Sequence, residues 1–180
     1  VDTAKMLIEQ ASEAGVNAIK FQYRNLQNAY SLAAKEIGDE LLRTEIIKNF
    51  LDPEILVMLS QYTHELGMDC GISFFTIEDM QDFGAQIEQF DFMKVPSAEL
   101  TNSGLIDAML TTGAHVYIST GGHSELEIEN ALKRLSAVEN WTPLHCISNY
   151  PTMLQNARLG YINHMRRCWN RSVGYSSHDE

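Results

Sequence analysis

The chain has 180 residues, enough for one domain with a sizeable core, and its 44% hydrophobic fraction is ordinary for a globular protein. A formal net charge of −11 argues against a general nucleic-acid or membrane-surface binder, since both need a basic face, but leaves room for a small anionic metabolite. No apolar run is long enough to span a bilayer and no signal peptide is visible, so a cytoplasmic protein is expected.

In chain order, Asp2 to Ala14 reads as an amphipathic helix, with Ala4, Leu7, Ile8, Ala11 and Ala14 on one stripe and Gly15 as its C-terminal glycine. Asn17 to Gln22 reads as the first strand. Tyr23 to Leu51 is a long, charge-rich connection, helical around Glu36 to Phe50, in the position of a lid or an excursion over a barrel mouth. Pro53 opens a helix that closes at Gly67. Met68 to Phe75 is the second strand, with a helix from Ile77 to Phe83. Phe92 to Val95 is the third, with a helix from about Asn102 to Leu110. His115 to Ser119 is the fourth. After Thr120-Gly-Gly, a helix runs from Ser124 to Ala137, with Ser124 and Glu127 at capping-box spacing. Pro143 to Ile147 is the fifth strand, followed by a helix from Leu154 to Asn170 that Gly160 interrupts. Val173 to Ser176 is the sixth.

Six apolar strands alternating with helices predict a parallel α/β architecture buried on both faces. No Gly-x-Gly-x-x-Gly opens a strand–helix turn, so a dinucleotide-binding sheet lacks its signature. Both ends of the chain look cut, and the expectation is a single partial TIM (βα)8 barrel domain over residues 1–180, about strands 2 to 7 of a longer protein. Cys70, Cys146 and Cys168 are an odd set at unmatched spacings, and free thiols are expected rather than a disulfide framework or zinc knuckle.

In such a barrel the chemistry sits at the C-terminal strand ends. Here these carry Lys20 and Gln22; Ser73 and Thr76; Lys94, Ser97 and Glu99; Ser119 and Thr120; His145, Ser148 and Tyr150; Ser176 and His178. Two ammonium groups and several hydroxyls suit a compact dianion. Thr76 and Thr120 read equally well as helix N-caps, His145 as a hydrogen-bonded interior histidine, and His123 and Ser124 as cap and surface. No His-x-x-x-His or Cys-x-x-Cys is present, which leaves His178 as the best single metal ligand.

Lys-Phe-Gln at Lys20–Gln22, Lys-Val-Pro-Ser-Ala-Glu at Lys94–Glu99, Ser-Thr-Gly at Ser119–Gly121, Leu-His-Cys with Tyr-Pro at Leu144–Pro151, and Gly-Tyr-Ser-Ser-His at Gly174–His178 follow in order. Together they resemble the N-acetylneuraminate (sialic acid) synthase family over nearly the whole chain. The resemblance implies condensation of phosphoenolpyruvate with an N-acetylated hexosamine aldehyde, with a divalent cation, manganese or magnesium, as Lewis acid, and loss of phosphate by C–O cleavage. It implies that Lys94, Ser97, Ser119, Ser148 and Ser176 hold the phosphate and that Lys20 and Ser73 hold the carboxylate of phosphoenolpyruvate. Gln22 and Tyr150 would face the sugar, His178 would bind metal, and Glu99 with Lys94 would lie nearest the reacting carbons. It also implies a homodimer in the full-length protein.

Ser177 stands where the family usually has Asp, Gly122 where it has Met, and Ile147 where Thr is common. By the same resemblance, the family's first strand, its eighth strand with the second metal histidine, and its C-terminal antifreeze-like domain are expected to lie outside this chain. The segment alone is therefore expected not to turn over. Two other readings remain open: a different lyase or Schiff-base aldolase on a TIM barrel, and a non-catalytic anion- or sugar-binding remnant.

Overall fold

A computed structural model describes residues 1–29 and 40–179. Its strands are β1 (Ala18–Gln22), β2 (Asp69–Ser73), β3 (Phe92–Val95), β4 (His115–Ser119), β5 (Trp141–Cys146) and β6 (Gly174–Ser176), hydrogen-bonded in that order. A doubly wound sheet reverses its strand order at a switch point, whereas consecutive parallel strands alternating with helices are the order of a βα barrel. The fold is accordingly α/β, a partial barrel of six parallel strands. The chain divides into two compact units, Val1–Met93 and Lys94–Glu180.

In the first unit, α1 (Asp2–Glu13) and α4 (Pro53–Glu65) cover one face of β1. Ile19 and Phe21 pack there against Ile8, Leu59 and Met68, while Lys20 and Gln22 project from the opposite face, as strand alternation requires. Register pairs Lys20 with Gly71 and Gln22 with Ser73. A Cβ on Gly71 would sit 2.2 Å from the Phe92 ring, so only glycine lets that ring lie across β2. Asp91 clamps the same strand, accepting from the Cys70 N–H and from His64 Nε2, each at 2.7 Å. The expected excursion falls partly on residues 30–39, outside the described residues. On either side stand α2 (Leu26–Ala29) and α3 (Glu40–Lys48), the second within the expected helical stretch.

In the second unit, Val116, Ile118, Trp141 and Pro143 line one face of β4 and β5, and α6 (Ser103–Thr111) and α7 (Glu125–Lys133) add Leu105, Ile106, Met109 and Leu132 to its core. The capping box of Ser124 and Glu127 forms as expected. Three expectations need correction. The helix expected to reach Ala137 stops at Lys133, and the Trp141 indole N–H is bonded to the Leu135 and Val138 carbonyls just beyond it. Gly160 does not interrupt a helix but begins α8 (Gly160–Trp169); upstream, the Ala157 carbonyl is taken by His145 Nε2 at 2.8 Å and Arg158 adopts a positive φ of 47°. The helix expected over Ile77–Phe83 is α5 (Ile77–Gln81), followed by a 3-10 turn at Gly84–Gln89 that Gly84 enters at φ 50°. No helix among the described residues is long and apolar enough to cross a membrane.

Candidate functional site

The first unit places Lys20 and Gln22 on the exposed face of β1, with Ser73 buried opposite Gln22. The Ser73 carbonyl accepts from the Tyr23 N–H at 3.0 Å, and Lys20 Nζ lies 3.4 Å from the Phe21 carbonyl. Thr76 is an N-cap, accepting from the Asp79 N–H at 3.0 Å.

The second unit gathers the larger group. Strand alternation and register place Ser119, Leu144, Cys146, Gly174 and Ser176 on one face of β4, β5 and β6, and His145 with Tyr175 on the other. Past β3 the chain does not enter a helix directly: Ser97 to Glu99 form a 3-10 turn, and Asn102 caps α6 by accepting from the Leu105 N–H. Ser97 Oγ accepts from the Gly121 N–H at 3.1 Å. A Cβ on Gly121 would lie 2.5 Å from Ser148 Oγ and 3.0 Å from both the carbonyl oxygen and Sγ of Cys146. Glycine at this position therefore lets the loops after β3, β4 and β5 meet. Gly122, at φ +75°, completes the turn. His178, beyond β6, is bonded through Nδ1 to the Ile147 carbonyl at 3.0 Å, lies 3.8 Å from Cys146 Sγ, and carries the Tyr150 ring at 4.1 Å. Buried Thr152 donates its N–H to the His178 carbonyl, fixing this loop from the far side.

Two polar groups here have no hydrogen-bond or ion-pair partner among the described residues. Ser119 is fully buried, and its Oγ has no hydrogen-bond partner among the described residues. Lys94, half-buried, makes neither a hydrogen bond nor an ion pair among them; desolvation lowers its pKa, opposed by its electrostatic interaction with Cys146. For the fully buried Ser119 hydroxyl the unmade bond costs about 1–3 kcal/mol. Glu99 accepts from Asn102 Nδ2 at 2.9 Å. A cavity of about 370 Å³ opens between the loops after β4 and β5, lined by Thr120, His123, Ser148, Asn149, Arg158 and other residues.

As a metal site the arrangement supplies one fitting donor. With Nδ1 of His178 held by a carbonyl, Nε2 is the nitrogen left for coordination. Among the described residues no three His, Cys, Asp or Glu side chains gather to hold an ion.

Several roles differ from the sequence reading. Thr120 is not a cap: its Oγ1 donates to the Leu144 carbonyl at 3.0 Å, extending the β4–β5 pairing. His123 is not a surface residue: its side chain is 16% exposed and Nε2 donates to the Ser97 carbonyl at 2.8 Å. His145 is the hydrogen-bonded interior histidine expected, stacked on Tyr175. Cys70 and Cys146 are buried free thiols, and Cys168 is exposed. The reading missed Thr152 and the main-chain carbonyl of Ile147, which no side-chain motif signals.

The model of the NeuB family matches residues 7–180. The N,N'-diacetyllegionaminic acid synthase of Campylobacter jejuni is 28% identical, the match covering 99% of this chain and 56% of that protein. The N-acetylneuraminate-9-phosphate synthase of Drosophila melanogaster is 26% identical, with coverage of 99% and 50%. The crystal structure of N-acetylneuraminic acid synthetase from Leptospira borgpetersenii in complex with citrate aligns at a TM-score of 0.83 and 24% identity, covering 98% of this chain and 59% of that one. The chain thus spans about half the length of the curated relatives it matches.

Proposed function

The chain belongs to the NeuB family, and from that premise we propose that the whole protein is a nonulosonic acid synthase that condenses phosphoenolpyruvate with an N-acetylated hexosamine aldehyde and releases phosphate. C3 of phosphoenolpyruvate attacks the aldehyde carbon and the aldehyde oxygen takes a proton; water adds at C2 and the C–O bond to phosphate breaks. The observation that carries the proposal is the unpartnered, buried Ser119 hydroxyl in the same unit as the unpaired Lys94 ammonium, next to the junction of Ser97 and Ser148 at Gly121. A phosphoryl group would satisfy both at once, with its charge matched by Lys94 and its oxygens by hydroxyls.

In this reading Lys94, Ser97, Ser119, Ser148 and Ser176 hold the phosphate throughout the reaction, so much of the rate comes from positioning. Glu99 supplies a carboxylate for proton transfer or orientation. Lys20, Ser73, Gln22 and Tyr150 keep the roles that the resemblance gives them. A divalent cation, manganese or magnesium, belongs to the proposal with His178 as one ligand, and when bound it would polarise the aldehyde oxygen. The relatives' names support a product of the sialic or legionaminic acid type.

The test is phosphate release by the intact protein given phosphoenolpyruvate and a panel of acetamido-hexoses. Release that requires both substrates is the expected result. Tight phosphoenolpyruvate binding without release for any sugar would instead favour the non-catalytic remnant. One observation favours a second reading, since a desolvated, unpaired lysine such as Lys94 is also what a Schiff-base aldolase needs. Borohydride trapping with a carbonyl substrate separates the two: an adduct on Lys94 means the aldolase.

A further inference from the structure

We infer that His123 is a positioning residue for the proposed phosphate cradle, locking Ser97 so that its hydroxyl is presented as a hydrogen-bond donor. The inference rests on the functional reading above. Ser97 sits in a turn of only three residues, Ser97–Glu99, which has little rigidity of its own. Two bonds from the loop after β4 converge on it. The Gly121 N–H donates to Ser97 Oγ at 3.1 Å, and His123 Nε2 donates to the Ser97 carbonyl at 2.8 Å. The first fills a lone pair on the hydroxyl, which turns the O–H away from Gly121, and that hydrogen has no acceptor among the described residues. The second fixes the peptide plane that carries the side chain. A seryl oxygen already accepting one bond, with its proton left over, suits an anion's oxygen.

The geometry also fixes which histidine nitrogen does this. A carbonyl can only accept, so Nε2 carries the proton, and Nδ1 faces the Glu127 carboxylate at 3.9 Å. Glu127 is itself immobilised, accepting from the backbone N–H and Oγ of Ser124 at the start of α7. Glu127 stands beyond hydrogen-bond distance of Nδ1, so the ring's anchoring bond is the one to Ser97; with its Nε2 spent on a carbonyl His123 is a positioning residue rather than a metal ligand. His123 also lines the cavity between those loops.

The test measures binding of phosphoenolpyruvate and of inorganic phosphate to the intact protein by calorimetry, with the melting temperature of each variant. His123→Leu is expected to weaken both ligands about tenfold, the factor that about 1.4 kcal/mol represents, and to raise KM for phosphoenolpyruvate but not for the sugar. His123→Gln, whose amide N–H reaches the Nε2 position, is expected to restore most of the affinity, which a role in packing alone would not predict. Unchanged affinity in His123→Leu overturns the inference and leaves the proposed function standing. Equal losses in the Leu and Gln variants overturn it as well, since ring volume would then be the cause. Should His123→Leu fail to fold, His123→Gln against His123→Asn makes the same comparison, because Asn reaches only the Nδ1 position, and equal affinities there count against it. Failure of the wild-type protein to bind either ligand defeats the functional reading itself, and the inference with it.

Discussion

Burial pushes the Lys94 ammonium below the ordinary lysine range, with its interaction with Cys146 acting in the opposite direction, and the sign of that shift sets a pH dependence. Anion binding needs the charged form, so phosphoenolpyruvate affinity should fall as pH rises through the lowered pKa, at less alkaline pH than an ordinary lysine would give. In the same window the unfolded chain holds the proton more tightly than the folded one, so folding stability rises with pH there. Calorimetry across that alkaline limb checks the first point, and Lys94→Arg, which stays charged throughout, should remove the fall. Lys94→Ala is expected to cost on the order of 2–4 kcal/mol of phosphoenolpyruvate affinity, and unchanged affinity would remove Lys94 from the site. For His178, whose Nδ1 is engaged and Nε2 left over, His178→Ala should abolish metal-dependent turnover. Metal-stimulated activity surviving that change would exclude it as a ligand. These side chains were visible in the sequence as strand-end polar residues. The roles of His123 and Thr120 were not, because each is defined by a backbone carbonyl more than twenty residues away.

At the scale of elements, the strands and most helix starts follow from local chemistry. Apolar runs become strands, although β1 keeps Lys20 and Gln22 exposed on one face where burial on both was expected; Asn102, Thr76 and Ser124 cap the helices that follow them, and glycines at positive φ follow α1, α4 and α6. Helix ends and loop paths depend on partners, as the Trp141 indole shows at the end of α7 and His145 before α8. Gly71 marks a contact between elements that composition does not reveal. With the Phe92 ring 2.2 Å from its would-be Cβ, Gly71→Ala should destabilise the fold by about 1–3 kcal/mol in chemical denaturation. Adding Phe92→Ala should make the double variant less destabilised than the sum of the single ones, since the clash goes with the ring. Strict additivity would mean that the two residues do not touch.

For the whole molecule, sequential parallel order makes the barrel class secure, and the family match extends from residue 7 to residue 180. Activity is proposed at a larger scale than this chain, because the relatives are about twice its matched length. We propose that the intact protein is a homodimer, and a monomer in light scattering under assay conditions would overturn this. Removing divalent metal by chelation should stop turnover, and manganese or magnesium should restore it. Full activity in the chelated protein would take the metal out of the proposal.

The sequence by itself determined the alternation of strands and helices, the caps at Thr76 and Ser124, and the short words that resemble a synthase family, because each depends on neighbours a few positions apart. Only the tertiary structure decided which polar groups are left without partners. Whether Ser119 is an ordinary buried serine or an unsatisfied donor depends on what lies across the sheet from it. Burial and hydrogen bonding are properties of surroundings, and the surroundings here are assembled from loops separated by many residues.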